Sequence, residues 1–193
     1  MASDTQFGAA AVNLSNAGSS ENTDAWVSPT SVFADDGTNA SITAASYDSP
    51  DISQILVVSD FGFAIPGTAT IDGIVVTIER NNAAGAASDN RVQLAKGTAF
   101  ANLVGTNKAD TATDWPASMG IANYGGTTDL WGTTWTPTEI NASTFAVFLS
   151  VQADAANTDI AVDYIQVTVH YTEVTVPGFQ QRRKTADRFL VRR

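Results

Sequence analysis

Apolar residues alternate with polar ones at a period of two along three segments of this chain, 70–80, 144–152 and 159–171. Successive side chains of a β-strand point to opposite faces, so each segment is predicted to be a strand with one face in a core. Clusters of Gly, Pro, Asn and Asp separate the segments, as is typical of turns. The 3.6-residue period of a helix is nearly absent before residue 177.

Two of these strands carry finer predictions. The second face of 144–152 is half apolar too, which indicates a central strand or one covered on both sides. In 159–171 the apolar phase changes after Val162, which predicts either a bulge near Asp163 and Tyr164 or a strand that changes sheet. Weaker patterns predict further strands over 40–45, 52–59, 91–96, 101–105 and 133–136. The fold class is therefore predicted to be all-β, with a single antiparallel β-sandwich or jelly-roll domain.

We expect three parts along the chain, an extended N-terminal arm over 1–25, the sandwich over 26–176 and a C-terminal tail over 177–193. The arm is expected because the first residues are polar, rich in Ala, Ser and Asn, and poor in alternation. A chain of 193 residues is long enough to bury one complete hydrophobic core. It contains no cysteine, so packing must hold that core without disulfides.

Charge is distributed unevenly along the sequence. The last twelve residues hold six of the ten basic residues and one acid, so they carry +5 while the rest of the chain carries −15. Apolar side chains accompany the bases, and a basic segment with apolar anchors is interpreted as a docking tail. Its docking residues are predicted to be Phe179, Arg182, Arg183, Lys184, Arg188, Phe189, Leu190, Arg192 and Arg193. DNA is the rival partner, but the −15 body would repel a duplex, so nucleic acid is not expected.

Residues 106–142 show little alternation and contain three of the four tryptophans. A connection of this length is usually functional or forms an oligomer contact, unless it contains strands of its own. Its large rings have three interpretations, namely contacts to another subunit, a stacking platform for a glycan, or the core of the domain itself. Core or subunit contact is favoured over sugar binding. The rings concerned are Trp115, Tyr124, Trp131 and Trp135.

Candidates for catalysis are few. His170 is the single histidine, and strand phase places it with Gln166 and Thr168 on the more polar face of its strand. A nucleophilic device needs an oriented base beside a nucleophile, and there is no cysteine for His170 to activate. The paired carboxylates of Asp35 and Asp36 are interpreted as a solvated turn. We therefore expect that the protein is not an enzyme and needs no cofactor.

Calcium is the one metal for which the sequence offers a candidate. Asp154, Asn157 and Asp159 supply oxygen ligands within one short segment. Their spacing lacks the D-x-D-x-D-G order and the terminal Glu of a recognised calcium loop. The prediction is accordingly no metal, with this loop as the place where calcium would bind if it does.

The sequence gives no sign of membrane insertion or secretion. No apolar stretch reaches the roughly 18 to 20 residues that a spanning helix needs. The N-terminus lacks the basic and apolar regions of a signal peptide. We expect no membrane partner, and synthesis in a cytoplasm without secretion.

Two blocks of sequence carry a resemblance to known proteins. The first joins WVSPTSVFADDG at 26–37 to FGFAIPGTATIDGIVVTIER at 61–80, and the second is YGGTTDLWG at 124–132. With these blocks the chain resembles β-sandwich virion proteins of tailed bacteriophages and prophages, a group that includes head decoration, fibre-base and tail-associated proteins. The resemblance implies a non-enzymatic structural protein of the virion, made in the host bacterial cytoplasm.

The same resemblance implies the partners, which are other virion proteins and further copies of this chain, with a trimer favoured. The alternative function is a carbohydrate-binding module or adhesin domain that binds a host surface glycan. That function would use Trp115, Trp131 and Trp135 as its binding surface.

Overall fold

A computed structural model of the chain describes residues 1–16, 21, 24–43 and 47–174. In this part of the chain nine strands form two sheets that pack face to face, and all the strand pairs are antiparallel. This arrangement confirms the predicted all-β sandwich. The predicted docking tail lies outside the described residues, so its role stays a prediction.

The first sheet has the strand order β1-β9-β5-β7, with β3 also paired to β9, and the second has the order β2-β4-β8-β6. Two single turns of 3-10 helix, Pro29–Val32 and Phe100–Asn102, and a short helix, α1 at Pro137–Ile140, lie in connections of the described chain. The strands are β1 Ala2–Phe7, β2 Ala10–Leu14, β3 Ala40–Ile42, β4 Ile55–Ser59, β5 Thr70–Ala84, β6 Ala87–Ala95, β7 Gly120–Gly126, β8 Ala146–Ala153 and β9 Asp159–Thr172.

The main core lies between the sheets, where the apolar positions of the alternating strands meet. Ile74, Val76 and Ile78 of β5 are fully buried and belong to one cluster with Val147 and Leu149 of β8. Burying a side chain of this size contributes about 1.5–3 kcal/mol. These alternating contacts fix which face of each strand points inward.

A second, smaller apolar cluster lies on the outer face of the second sheet. Leu14 and Leu103 pack against it, and it consists of Ile55, Val57, Ala95, Ala146 and Phe148. Strand β8 is therefore covered on both faces and lies inside its sheet. This confirms the prediction drawn from its half-apolar second face.

The bulge in β9 is also confirmed. Strand β5 pairs Glu79 with Tyr164 and Arg80 with Val162, so Asp163 has no partner on β5. The extra residue lets both halves of β9 turn their apolar side chains to the core, although the two halves alternate in opposite phases.

The prediction of an N-terminal arm over 1–25 is wrong for the residues that form β1 and β2. Strand β1 pairs with β9, and β2 pairs with β4, so both belong to the sandwich. Both are edge strands, each with one neighbouring strand, and an edge strand needs few apolar residues because its other edge faces solvent. One aromatic contact helps to hold β1. Phe7 packs edge-on against Tyr164 of β9, with 5.7 Å between the ring centroids.

The predictions for the middle of the chain need two corrections. Neither 101–105 nor 133–136 forms a strand, and 106–142 contains β7 instead. Strand β7 pairs only with β5, at the edge of the first sheet, and it carries glycines at both ends. Its composition therefore lacks the run of β-branched residues by which a strand is recognised.

Candidate functional site

The four rings of the 106–142 segment are buried within this chain. Trp115, Tyr124, Trp131 and Trp135 are 3%, 7%, 0% and 7% exposed. The expectation that they form an oligomer or glycan contact is therefore wrong, and the alternative that they build the core of the domain is confirmed. The physical reason is the segment itself, which folds back over the edge of the sandwich and brings its rings inside.

Hydrogen bonds hold these rings in place. The indole Nε1 of Trp131 donates to the backbone oxygen of Ile74 at 2.9 Å. Gly125 has a φ of +81°, and a Cβ at this position would lie 2.6 Å from that same Nε1, so only glycine lets the indole approach. Trp135 packs edge-on against Phe145 with 5.3 Å between ring centroids.

The centre of this region is a buried ion pair between Arg80 of β5 and Asp89 of β6. Arg80 Nη1 donates to Asp89 Oδ1. The same carboxylate accepts from Trp115 Nε1 at 2.8 Å, from Tyr124 Oη at 2.8 Å and from the backbone nitrogen of Asp110 at 2.9 Å. Three of the four donors to this buried carboxylate belong to the 106–142 connection and tie it to the sandwich.

Arg80 also contacts two aromatic rings. Its Cζ lies 4.7 Å from the ring centroid of Trp115 and 5.6 Å from that of Tyr124, within the range of cation–π contacts. The sequence held a signal for this arrangement, because Arg80 shares the inward phase of Ile78. Sequence reasoning missed the pair, since nothing local identifies Asp89 as its partner.

An open cleft of about 670 Å³ lies above this ion pair. Lys108 lies at its rim, where it forms an ion pair with Asp129 at 2.6 Å and stands 5.4 Å from the ring centroid of Trp131. The lining combines charged side chains with amides and hydroxyls, and its polar members are Arg80, Lys108, Asp110, Asp129, Thr106, Asn107, Asn123 and Tyr124.

The cleft is suited to binding a polar ligand. Burial and the neighbouring charge of Asp89 raise the pKa of Tyr124 well above its ordinary value, so its hydroxyl keeps its proton. Asp89 is occupied by its four donors. Asn107 is also engaged within the chain, because its Oδ1 accepts from the backbone nitrogens of Val92 and Ala109 and its Nδ2 donates to the backbone oxygen of Asn90. Asn123 Oδ1 accepts from Thr77, so the cleft would recognise a ligand through Asn123 Nδ2 and the charged side chains of its lining.

The other predicted residues lie apart from this cleft. His170, Gln166 and Thr168 share the half-buried outer face of β9, which confirms the predicted strand phase. Asp36 Oδ1 accepts from the backbone nitrogen of Thr38 at 2.8 Å, as expected of a turn. Asp35, by contrast, lies close to two other acids, since its carboxylate and those of Glu79 and Asp163 have oxygens within 4.8 Å of one another.

The predicted calcium loop makes ordinary loop contacts. The backbone nitrogen of Asn157 donates to Asp48 Oδ1 at 2.7 Å, and Asp154 Oδ1 accepts from Gln152 at 3.1 Å. Neither Asp154 nor Asp159 belongs to the group of three close carboxylates found in the described residues. The prediction of no metal at this loop stays a prediction.

All four basic residues between positions 1 and 174 lie in the described part of the chain, and each forms an ion pair there. The four pairs are Arg80 with Asp89, Arg91 with Glu21, Lys96 with Glu139, and Lys108 with Asp129. The bases of the sandwich are thus engaged within the chain. The charged side chains of the sandwich that lie outside these four ion pairs are carboxylates.

Comparisons with known proteins give little further information. No family model matches the chain. No curated protein matches it. A solved structure described as a "Family 16 Carbohydrate Binding Module-2" is similar at 12% identity and a TM-score of 0.35, and the match covers 69% of this chain and 79% of that one. A likeness at this TM-score does not indicate what the present chain binds. Among the described residues, no helix has the length and apolarity to cross a bilayer.

Proposed function

We propose that this protein is a non-enzymatic structural component of a tailed-phage virion, and that it assembles by docking its basic C-terminal segment on the acidic sandwich of a neighbouring copy. The virion part of the proposal rests on the resemblance of the blocks at 26–37, 61–80 and 124–132. The docking part rests on charge and on the ion pairs of the sandwich.

The observation that carries the docking proposal is that the bases of residues 1–174 are already paired within the chain. The sandwich therefore offers a neighbour an acidic surface, while the cations that remain in the sequence follow residue 181. Opposite charges guide two such surfaces together, and the apolar anchors Phe179, Phe189 and Leu190 would hold the contact. Charge alone would not suffice, because its effect is screened beyond ~8 Å at physiological salt.

Zero-length cross-linking with a carbodiimide tests this docking directly, because the reagent joins an amine only to a carboxylate in contact with it. Lys184 is the single lysine of the tail. In a mixture of isotopically light and heavy full-length chains, we expect links between Lys184 of one copy and acids of the other. Lys96 and Lys108 are internal controls, since they lie 2.7 Å from Glu139 and 2.6 Å from Asp129 in the same chain.

Links from Lys184 only to acids of its own chain would contradict docking between copies, as would the absence of Lys184 links when both controls react. The virion assignment has a separate test, which is whether the protein sediments with phage particles through a density gradient. A protein found only in the soluble fraction would contradict that assignment.

The cleft favours a second function, carbohydrate binding. Its volume of about 670 Å³ and its polar lining suit a polar ligand such as a sugar. The buried tryptophans cannot serve as a platform, so Asn123 and the charged side chains of the lining would carry this binding. A glycan array tests it, and a signal that Asn123→Ala abolishes while the melting temperature is unchanged would support this second function over the first.

A further inference from the structure

Three carboxyl groups lie together on the first sheet, at the place where β3, β5 and β9 meet. Glu79 is on β5, Asp163 is the bulged residue of β9, and Asp35 follows Phe33, which forms a bridge to Tyr164. The carboxylate oxygens of the three acids all lie within 4.8 Å of one another. Like charges at this separation repel, so the group is unfavourable by itself.

Asp163 distinguishes this group from ordinary surface acids. The residue is only 3% exposed, and its Oδ1 has no hydrogen-bond partner within the described chain. A buried carboxylate is strongly disfavoured unless it is paired with a cation or coordinates a metal. The structure therefore holds a buried oxygen ligand that a bound cation would satisfy.

The basic side chains of the described residues do not supply that cation. Arg80 follows Glu79 along β5, but strand alternation turns it to the core, where it pairs with Asp89. The other bases between positions 1 and 174 are held in ion pairs with other acids. Within the described residues no basic side chain balances these carboxylates, and a bound ion would do so.

Two pKa values reflect the same repulsion. Burial raises the pKa of Glu79, and so do the charge of Asp35 and a hydrogen bond to Asp163 that forms only when one of the two carboxyls keeps its proton. Burial and these three carboxylates together raise the pKa of Tyr164. A divalent cation among the carboxylates would oppose the part of both shifts that comes from their charges.

We propose that Asp35, Glu79 and Asp163 form a calcium site. The three residues offer oxygen ligands only, which hard cations such as Ca²⁺ and Mg²⁺ prefer. A loop, a strand and a bulge supply them, and such irregular ligands suit the variable shell of about six to eight oxygens around Ca²⁺ better than the strict octahedron of Mg²⁺. Asp35 is exposed and Glu79 half-buried, so water has access to complete the shell.

Asn39 is the candidate for a further oxygen ligand of this site. Strand β3 begins at Ala40, opposite Val162, so Asn39 lies at the level of Asp163. Its Oδ1 is buried and has no hydrogen-bond partner among the residues that the structure describes. Amide oxygens are common ligands of Ca²⁺, and we assign this one as the fourth protein ligand.

Thermal unfolding of the full-length chain, first stripped with a chelator, tests the site as CaCl₂ or MgCl₂ is added. At about a hundredfold excess over Kd we expect CaCl₂ to raise Tm by roughly 5 to 10 °C, and MgCl₂ at the same concentration to raise it much less. Asp35→Asn alters an exposed side chain and should abolish most of this rise. Asp163→Asn should abolish the rise too. In the absence of calcium its Tm should be no lower than that of the wild type, because the substitution removes a buried charge.

Asp154→Asn is the matched control, because Asp154 is exposed and lies in the loop where the sequence places calcium if any is bound. This variant should keep the full response to CaCl₂. The proposal is overturned if the wild type shows no rise in Tm, if Asp35→Asn keeps the full rise, or if Asp154→Asn is the variant that loses it. An equal response to MgCl₂ would overturn the choice of calcium.

Discussion

Arg80 and Asp89 form an ion pair in the interior of the sandwich, where their side chains are 8% and 0% exposed. The pair joins β5 in one sheet to β6 in the other, and the rings of Trp115 and Tyr124 enclose it. A buried ion pair of this kind is costly to break, because the remaining charge cannot reach water.

Asp89→Asn is therefore expected to lower the free energy of unfolding by about 3–5 kcal/mol, since it leaves the buried guanidinium without its counter-charge. Asp129→Asn is the matched control, because its pair with Lys108 is much more exposed, and it should cost only about 0–1 kcal/mol. Urea denaturation of both variants measures the difference. If both variants lose the same free energy of unfolding, the buried pair contributes no more to stability than the exposed pair.

The pair between Glu21 and Arg91 predicts a dependence of stability on pH. Burial raises the pKa of Glu21, but hydrogen bonds from Arg91 and Ser150 and the charge of Arg91 outweigh that effect, so the pKa lies below its usual value of 4.5. The unfolded chain therefore takes up this proton first as the pH falls. The stability from Glu21 is complete above about pH 4.5 and is lost below it.

We expect Glu21→Gln to lower the free energy of unfolding by roughly 1–2 kcal/mol at neutral pH, with the deficit shrinking as the pH falls through the pKa of the folded state. Urea denaturation of both proteins at neutral pH and in the acid range measures it. Subtracting the free energy of unfolding of the variant from that of the wild type separates the contribution of Glu21 from those of the other carboxylates. A deficit that stays constant across that range would contradict the assigned pKa shift.

Gly73 permits a close approach of two backbone segments. A Cβ at this position would lie 2.3 Å from the carbonyl carbon of Thr127 and 2.4 Å from the oxygen of Gly126. Gly73→Ala should therefore lower the free energy of unfolding by roughly 1–3 kcal/mol. Gly67→Ala, which places its methyl group in open space, is the control. If the two variants denature at the same urea concentration, the contact is not as close as described.

The burial of the tryptophans predicts the fluorescence of the native protein. Trp26, Trp115, Trp131 and Trp135 are 2%, 3%, 0% and 7% exposed, so their emission should be blue-shifted and quenched only weakly by acrylamide. Unfolding in urea should remove both properties. Strong quenching in the folded protein would indicate exposed rings and restore the glycan platform as an interpretation.

The sequence predicts the fold best where strands are buried on at least one full face. Strands β5, β8 and β9 were predicted because their alternation is strong, and the bulge at Asp163 because the phase changes there. Edge strand β7 was missed, since its glycines and its single neighbour leave little pattern to detect.

The candidate sites were harder to predict than the fold, for a physical reason. Glu79 and Asp163 have recognisable positions in the sequence, but Asp35 joins them only through the bridge between Phe33 and Tyr164, which are far apart in the chain. The rings of Trp115 and Trp131 could be assigned to the core only after long-range contacts were known. Local patterns determine which face a residue occupies, and not which distant residues share that face.

The association state of the full-length chain tests the proposed docking most directly. Light scattering at low salt should give a mass above the 20.2 kDa of a single chain, and that mass should fall as salt is added. Replacing the six basic residues that follow position 181 by Gln should give a monomer with an unchanged melting temperature, while Asp187→Asn, which removes the acid of the tail, should still associate. A wild type that is monomeric at low salt, or a Gln variant that associates as strongly as the wild type, would contradict the proposal.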